Sequence, residues 1–292
     1  MLFITMKRNP MRPLVAITGC DSGIGEALCR QYIDAGYGVI AGYLDDRRAP
    51  DIISLRPVAL DLRVEDSIAA FASAVIAGIG EGFKLDSVIL NAGVVAAGPV
   101  ENIPVEAVRE VFEVNFFGSY SLIQKLIPAI IRDKSRIGIV GSFAGRIALP
   151  LFSSYVSSKF ALEGFTDSLR RELMPFGVRT VMFEPAAVAT PIWSNGWDGV
   201  VRRFMGLVGE RYKETFEKAG ATFVAGGNAG LPSVDAARII MRRLSSVCPR
   251  ARYLVSRTPI LNAIECALPA FILDRAIARL IGTSGFRKDL PD

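Results

Sequence analysis

The sequence predicts an α/β domain built on a doubly wound parallel sheet. Three observations carry this. Apolar runs of strand length alternate with helix-length amphipathic stretches through residue 183. Parallel strands need crossovers long enough for a helix, and the spacing between the runs supplies them. A glycine-rich turn, Thr18-Gly19-Cys20-Asp21-Ser22-Gly23-Ile24-Gly25, falls between the first run and the first helical stretch.

Residues 14–17 form a continuous apolar run, the pattern of a strand buried on both faces. Residues 24–35 follow with helical spacing at Leu28 and Tyr32, and Gly36 stands where a helix would stop. A second strand is expected at 38–43, a third at 57–60, then a helix over 64–78 and a fourth strand at 85–90. Residues 105–131 read as one long helix, with Pro128 bending or tightening its end. A fifth strand at 136–140, a helix at 154–174 and a sixth strand at 178–183 complete the alternation.

Beyond residue 184 the alternation stops. Residues 187–230 hold Trp193, Trp197 and many glycines, and are expected to form an irregular lid or substrate loop. Ser233 opens a helix to about residue 244, residues 253–255 form a last strand, and residues 258–282 form an apolar amphipathic segment. No linker or repeat divides the chain. Residues 1–292 read as one domain, with a cofactor-binding and catalytic core (14–186), a substrate lid (187–230) and a C-terminal extension (231–292).

Composition narrows the chemistry. The chain has 292 residues, 51% hydrophobic and 22% charged, which suits a folded domain rather than a disordered one. It contains no histidine, which excludes Ser-His-Asp and Cys-His mechanisms and histidine-ligated zinc. The four cysteines form no C-x-x-C pair, so no metal site is expected; they read as reduced thiols of a cytoplasmic protein. The start lacks the basic-then-apolar order of a signal peptide, and no stretch approaches the length of a membrane span. The net charge of +5 comes from scattered basic pairs, so no nucleic-acid partner is expected.

The glycine turn lets a backbone approach a pyrophosphate and aims unpaired helix N–H groups at an anion. It lacks the Gly-Lys-Ser/Thr of an ATP- or GTP-binding loop. These eight residues resemble the T-G-x-x-x-G-I-G of the short-chain dehydrogenase/reductase family, and further matches extend the resemblance from residue 14 to about 190. The resemblance implies a Rossmann fold that binds NAD or NADP through Thr18, Gly19, Ser22, Gly23, Ile24 and Gly25. It also implies that Asp61 meets the adenine, with Leu62 beside it. Read alone, Asp61 is equally a cap for the helix near residue 64. Asn91, Ala92 and Gly93 match the family's N-A-G after strand four. Pro185, Val188 and Thr190 match its nicotinamide-contacting segment after strand six, although Ala186 stands where glycine is usual.

Asn115 sits inside the long helix, a poor place for asparagine; in the family it holds a local kink and a water leading to the catalytic lysine. Ser142 follows strand five. Tyr155 and Lys159, at i and i+4, project from one helical face. A phenol has an ordinary pKa near 10, and a neighbouring ammonium favours the phenolate. The expected roles follow. Tyr155 exchanges a proton with the substrate oxygen, Lys159 lowers the Tyr155 pKa and holds the ribose, Ser142 donates to the substrate oxygen, and Asn115 completes a relay.

At the end of strand two, Tyr43 and Leu44 occupy the positions that usually select the cofactor and decide nothing; the following Asp45 and Asp46 tilt the reading to NAD, while Arg47 or Arg48 within reach of a 2′-phosphate keeps NADP open. The turn and the later Thr190-Pro191-Ile192-Trp193 most resemble the retinol dehydrogenase and 17β-hydroxysteroid dehydrogenase branch. A lipophilic alcohol or ketone is therefore expected, walled by Phe143, Leu149, Trp193 and Trp197. The resemblance also implies a homodimer or homotetramer through the helices carrying Asn115 and Tyr155. For residues 258–282 three roles stand open: closing the pocket, mediating an oligomer, or peripheral membrane contact. Two other readings stand beside this one: a 3-oxoacyl or polyketide ketoreductase, with Arg202-Arg203 as a basic rim, and a catalytically silent NAD(P)-sensing protein.

Overall fold

The computed structural model describes residues 11–281. Residues 1–10, where no signal peptide is expected, and residues 282–292, the end of the C-terminal extension, lie outside the described residues. The main sheet has seven strands: β1 (Arg12–Ile17), β2 (Gly38–Tyr43), β3 (Leu55–Ala59), β4 (Phe83–Leu90), β5 (Arg136–Val140), β6 (Arg179–Pro185) and β9 (Arg252–Val255). Its order is β3-β2-β1-β4-β5-β6-β9, and every pairing is parallel. The chain winds outward from β1 to β3, then returns to the other side of β1 at β4. The crevice beyond the carboxyl ends of β1 and β4 is thus the topological switch point, where such sheets bind ligands.

Strand periodicity divides the core. Leu14 and Ala16 of β1 enter one apolar cluster with Phe71, Leu122 and Leu162, while Val15 and Ile17 enter the other with Leu28, Tyr32 and Ile240. Alternate side chains of a strand face opposite sides, so each face recruits its own helices. The first face carries α2 (Glu65–Gly80), α4 (Gly118–Asp133) and α5 (Ser153–Leu173); the second carries α1 (Gly23–Asp34) and α8 (Ser233–Leu244).

The long helix after β4 is interrupted. It runs as α3 (Val105–Phe112), a π-helical turn over Glu113–Phe117, then α4, which continues through Pro128.

The expectation of an irregular segment after β6 needs correction. Residues 187–230 are mostly helical rather than irregular: a short strand β7 (Val188–Ala189) leads into α6 (Pro191–Phe204) and α7 (Glu210–Asn228). Glycines that suggested loops instead permit close helix approach. A Cβ at Gly220 would lie 2.0 Å from Trp197 Cζ2, and one at Gly227 would lie 2.2 Å from Trp193 Cγ. The strand β8 (Leu231–Pro232) pairs with β7 and leads into α8. The apolar segment after β9 forms two short helices, α9 (Pro259–Glu265) and α10 (Ala270–Ile281), which expose Ile260, Leu261, Ile264, Phe271 and Leu280. Among the described residues no helix is long and apolar enough to cross a membrane.

Candidate active site

The glycine turn closes over the switch point. Gly19 and Gly23 have φ of +69° and +61°, a region that disfavours side chains. A Cβ at Gly25 would lie 2.0 Å from the Gly19 carbonyl oxygen, so only glycine lets α1 start this close to β1. Ser22 stands at the N-cap of α1 without a side-chain capping bond, which leaves the first-turn N–H groups to an anion. This cradle and free helix end fit a dinucleotide pyrophosphate. Thr18 and Asn91 bind the two sides of the crevice together. Thr18 Oγ1 accepts from the backbone N–H groups of Asn91 (3.0 Å) and Ala92 (3.1 Å), and Asn91 Nδ2 donates to the carbonyl oxygens of Thr18 (3.1 Å) and Gly19 (2.9 Å). Across the crevice, Thr190 lies so near that a Cβ at Gly23 would be 3.0 Å from its Cγ2.

Other residues expected to meet the cofactor divide into two groups. Gly93 borders the crevice: a Cβ there would sit 3.4 Å from Asn115 Oδ1 and 3.5 Å from Lys159 Nζ. Pro185 lies beside the cavity described below, and Ala186 is not among the described non-glycine residues with positive φ, so the alanine brings no backbone strain. By contrast, Tyr43 is buried among Cys20, Leu28 and Cys29, and burial raises its pKa. Asp61 is held by Arg63 at 2.6 Å, which lowers its carboxyl pKa, and Leu62 and Val188 are buried. Ile24 packs against the second cluster.

One residue the sequence reading passed over stands at the end of β2. The Asp21 carboxylate accepts from Leu44 N–H at 3.0 and 3.2 Å, tying the glycine turn to the strand end. Arg47, in the short turn after β2, is engaged by Asp45 at 2.8 Å. The signal was an acidic residue inside the glycine turn, legible only once β2 is known to lie beside it.

Ser142, Asn115, Tyr155 and Lys159 converge at the carboxyl edge. Asn115 lies in the π-helical turn, fully buried. Its Oδ1 accepts from Val94 N–H (2.8 Å), and its Nδ2 donates to the Val94 carbonyl (3.0 Å) and to Ser158 Oγ (2.9 Å). The asparagine therefore replaces backbone partners that a loop after β4 and an irregular helix both lack. Ser142 Oγ accepts from Ala144 N–H at 3.1 Å, which orients the hydroxyl. Lys159 Nζ is buried, donates to the Val140 carbonyl at 3.3 Å, and lies 5.6 Å from the centre of the Tyr155 ring. Burial pushes the Tyr155 phenol up, with the Ser142 hydroxyl opposing, and pushes the Lys159 ammonium down to about 8. Both shifts disfavour charge in a low-dielectric site.

A cavity of about 590 Å³ opens beside this cluster, with Ser142 and Tyr155 in its wall. Phe143, Leu149, Trp193 and Trp197 line it, together with Phe152, Phe223 and Leu280. Trp193 Nε1 donates to the Val188 carbonyl at 2.7 Å, which fixes its indole against β7.

Beneath the cavity lies a charged network that the sequence did not announce. Glu184, 1% exposed, is reached by Arg146 at 3.3 Å and Arg252 at 3.5 Å. Arg252 also holds Glu163 at 2.9 Å and Asp167 at 3.1 Å, and burial pushes the Glu163 carboxyl up to about 7. The network joins α5, β6, β9 and the loop after Ser142, the elements that shape the site. Arg203, one of the two expected rim cations, is bound to Glu110 at 2.6 Å.

A switch-point crevice with a glycine cradle, next to a phenol, an ammonium and an apolar cavity, defines a dinucleotide-dependent oxidoreductase. Comparison with known proteins specifies the class. The sequence model described as short chain dehydrogenase matches residues 13–199. The chain belongs to the short-chain dehydrogenase/reductase family of NAD(P)-dependent oxidoreductases. Retinol dehydrogenase 7 of Rattus norvegicus is 31% identical over 254 residues, covering 82% of this chain and 79% of that protein. An NADPH-dependent 3-dehydrocapnine reductase of Ornithobacterium rhinotracheale is 29% identical over 278 residues, covering 89% and 94%. The crystal structure of a family member from Burkholderia phymatum in complex with NAD aligns with a TM-score of 0.73 at 22% identity, covering 92% of this chain and 97% of that one.

Proposed function

We propose that this protein interconverts a lipophilic alcohol and its ketone or aldehyde, of retinoid or steroid character, with Tyr155 as the proton-transferring group. The observation that carries the proposal is the position of Tyr155 and Ser142 together in the wall of an otherwise apolar cavity of about 590 Å³. The bound nicotinamide supplies or accepts the hydride. In the reductive direction the Tyr155 hydroxyl gives its proton to the substrate oxygen, while Ser142 donates a hydrogen bond to that oxygen as charge builds on it. Lys159 stabilises the phenolate left behind, and Asn115 holds the Val94 loop from which the relay reaches solvent. Thr18, Gly19, Ser22, Gly23, Ile24, Gly25, Asn91, Ala92, Gly93 and Thr190 hold the dinucleotide, with Lys159 on its ribose.

NAD is the favoured cofactor. The end of β2 presents the Asp21 carboxylate, and Arg47 is occupied by Asp45, so a 2′-phosphate there meets negative charge. The ketoreductase alternative has lost part of its basic rim to the Arg203–Glu110 pair. The free thiols of Cys20, Cys29, Cys248 and Cys266 support a cytoplasmic location. Exposed Phe117, Tyr120 and Phe160 on the outer faces of the Asn115 and Tyr155 helices support a homodimer or homotetramer, which light scattering tests.

The test is oxidation of NADH with a panel of lipophilic ketones. Turnover should fall by about 10²- to 10⁴-fold in Tyr155→Phe, with cofactor affinity kept. Tight NADH binding without turnover of any substrate would replace this reading with the sensor.

A further inference from the structure

The cavity has two polar ends, and the proposed function uses only one. Ser142 follows β5, Pro185 ends β6 and Ser256 follows β9, and these three strands are neighbours. Residues after β9 therefore lie two strand spacings, about 10 Å, from the strand that carries Ser142. They lie on the side away from β1 and β4, where the glycine cradle sits. The apolar walls include Leu149, Trp193, Trp197 and Phe223.

At the far end, the polar side chains except one satisfy each other. Ser256 Oγ donates to Asn262 Oδ1 at 2.6 Å and accepts from Thr258 N–H at 3.0 Å, and Asn262 Nδ2 donates to Glu265 at 2.9 Å. Thr222, midway, gives its hydroxyl to the Lys218 carbonyl at 2.9 Å. Arg257 is different. It lines the cavity at a solvent-exposed position, it is the only charged side chain among the described residues of the lining, and none of the described carboxylates pairs with it. Three other arginines of this edge are paired: Arg146 with Glu184, Arg252 with Glu163, Arg203 with Glu110.

We infer that the substrate is amphiphilic, with an anionic head group bound by Arg257 and a lipophilic body that places its carbonyl at Ser142 and Tyr155, in the same cavity. A guanidinium presents a planar fork that matches carboxylate, sulfonate or phosphate oxygens. An uncharged steroid or retinoid would leave that fork to water. The inference rests on the proposed reductase function, because it needs the cavity to be the substrate site.

The test separates the two. Trp193 and Trp197 are the chain's only tryptophans and both line the cavity, so indole fluorescence reads occupancy without turnover. A long-chain keto acid and its methyl ester are titrated into wild-type protein, Arg257→Gln and Arg257→Lys, and NADH oxidation is followed with the same pairs. Sulfonate- and phosphate-headed analogues show which anion fits. The wild type should bind the acid about 5- to 30-fold more tightly than the ester. Arg257→Gln should erase that preference while leaving ester binding unchanged, and Arg257→Lys should restore part of it. Equal binding of acid and ester by wild type, with ketone turnover intact, overturns the head-group site and leaves the reductase reading standing. An acid preference that vanishes in Arg257→Gln, with no turnover of any ketone, supports the anion site and overturns the reductase reading.

Discussion

The ammonium of Lys159 lies 5.6 Å from the centre of the Tyr155 ring, one turn further along α5, and the same burial moves the two groups' pKa values in opposite directions. The expectation that Lys159 lowers the Tyr155 pKa therefore competes with desolvation, which raises it in the cofactor-free protein. A positive nicotinamide ring beside the pair would shift the balance toward phenolate.

Lys159 makes the cofactor-free protein less stable at neutral pH. Its folded pKa, about 8, lies below the ordinary lysine value of 10.5, so the unfolded chain holds the proton more tightly. The stability it contributes is fully present above the ordinary value and is lost as pH falls through about 8. Lys159→Met should accordingly melt above wild type at pH 7, with the gap closing toward pH 10.5. Thermal denaturation across that range checks it; a gap independent of pH would contradict the cause given.

Glu163 has the opposite slope. Its folded pKa is raised to about 7 from 4.5, so the folded protein holds the proton and stability declines as pH rises through that window. Glu163→Gln removes the titration. Its stability relative to wild type should rise between pH 4.5 and about 7 and then level off. Urea midpoints measured at half-unit intervals would show whether it does.

Asn115→Ala removes the partner of the Val94 N–H and carbonyl, which are part-buried, and the donor to the buried Ser158 hydroxyl. Each unsatisfied group costs about 1–3 kcal/mol, so a loss of several kcal/mol is expected, together with slower turnover. Serine substitution at this position should recover little of either, because a hydroxyl cannot serve both Val94 groups across the same gap.

Asp21→Asn keeps an acceptor for Leu44 N–H while removing the charge at the end of β2. The ratio of kcat/KM for NADH over NADPH should fall about tenfold, the effect of about 1.4 kcal/mol. An unchanged ratio would assign cofactor choice to another group.

Gly227→Ala places a methyl 2.2 Å from the resting position of Trp193 Cγ. The indole must move, losing its bond to the Val188 carbonyl, at a cost of about 1–3 kcal/mol. Bulky ketones should lose more affinity than short ones, which a KM series by chain length would reveal.

Much of this molecule was legible in one dimension. Apolar runs of strand length identified β1, β2 and β5 because a central parallel strand is buried on both faces and must be apolar throughout. The glycine turn and the Tyr155–Lys159 spacing were readable because each acts within a few residues. What only folding decided depends on residues far apart in the chain. Asn91 meets Thr18 across 73 positions, and Arg252 meets Glu163 across 89. Gly220 and Gly227 looked like loop residues because a glycine that admits an indole has the same local signature as one that turns a chain. Periodicity records which face of an element is buried. Which distant side chain shares that space, and hence which carboxylate ends up beside Leu44 and which guanidinium reaches the cavity, is set by strand order in the assembled sheet.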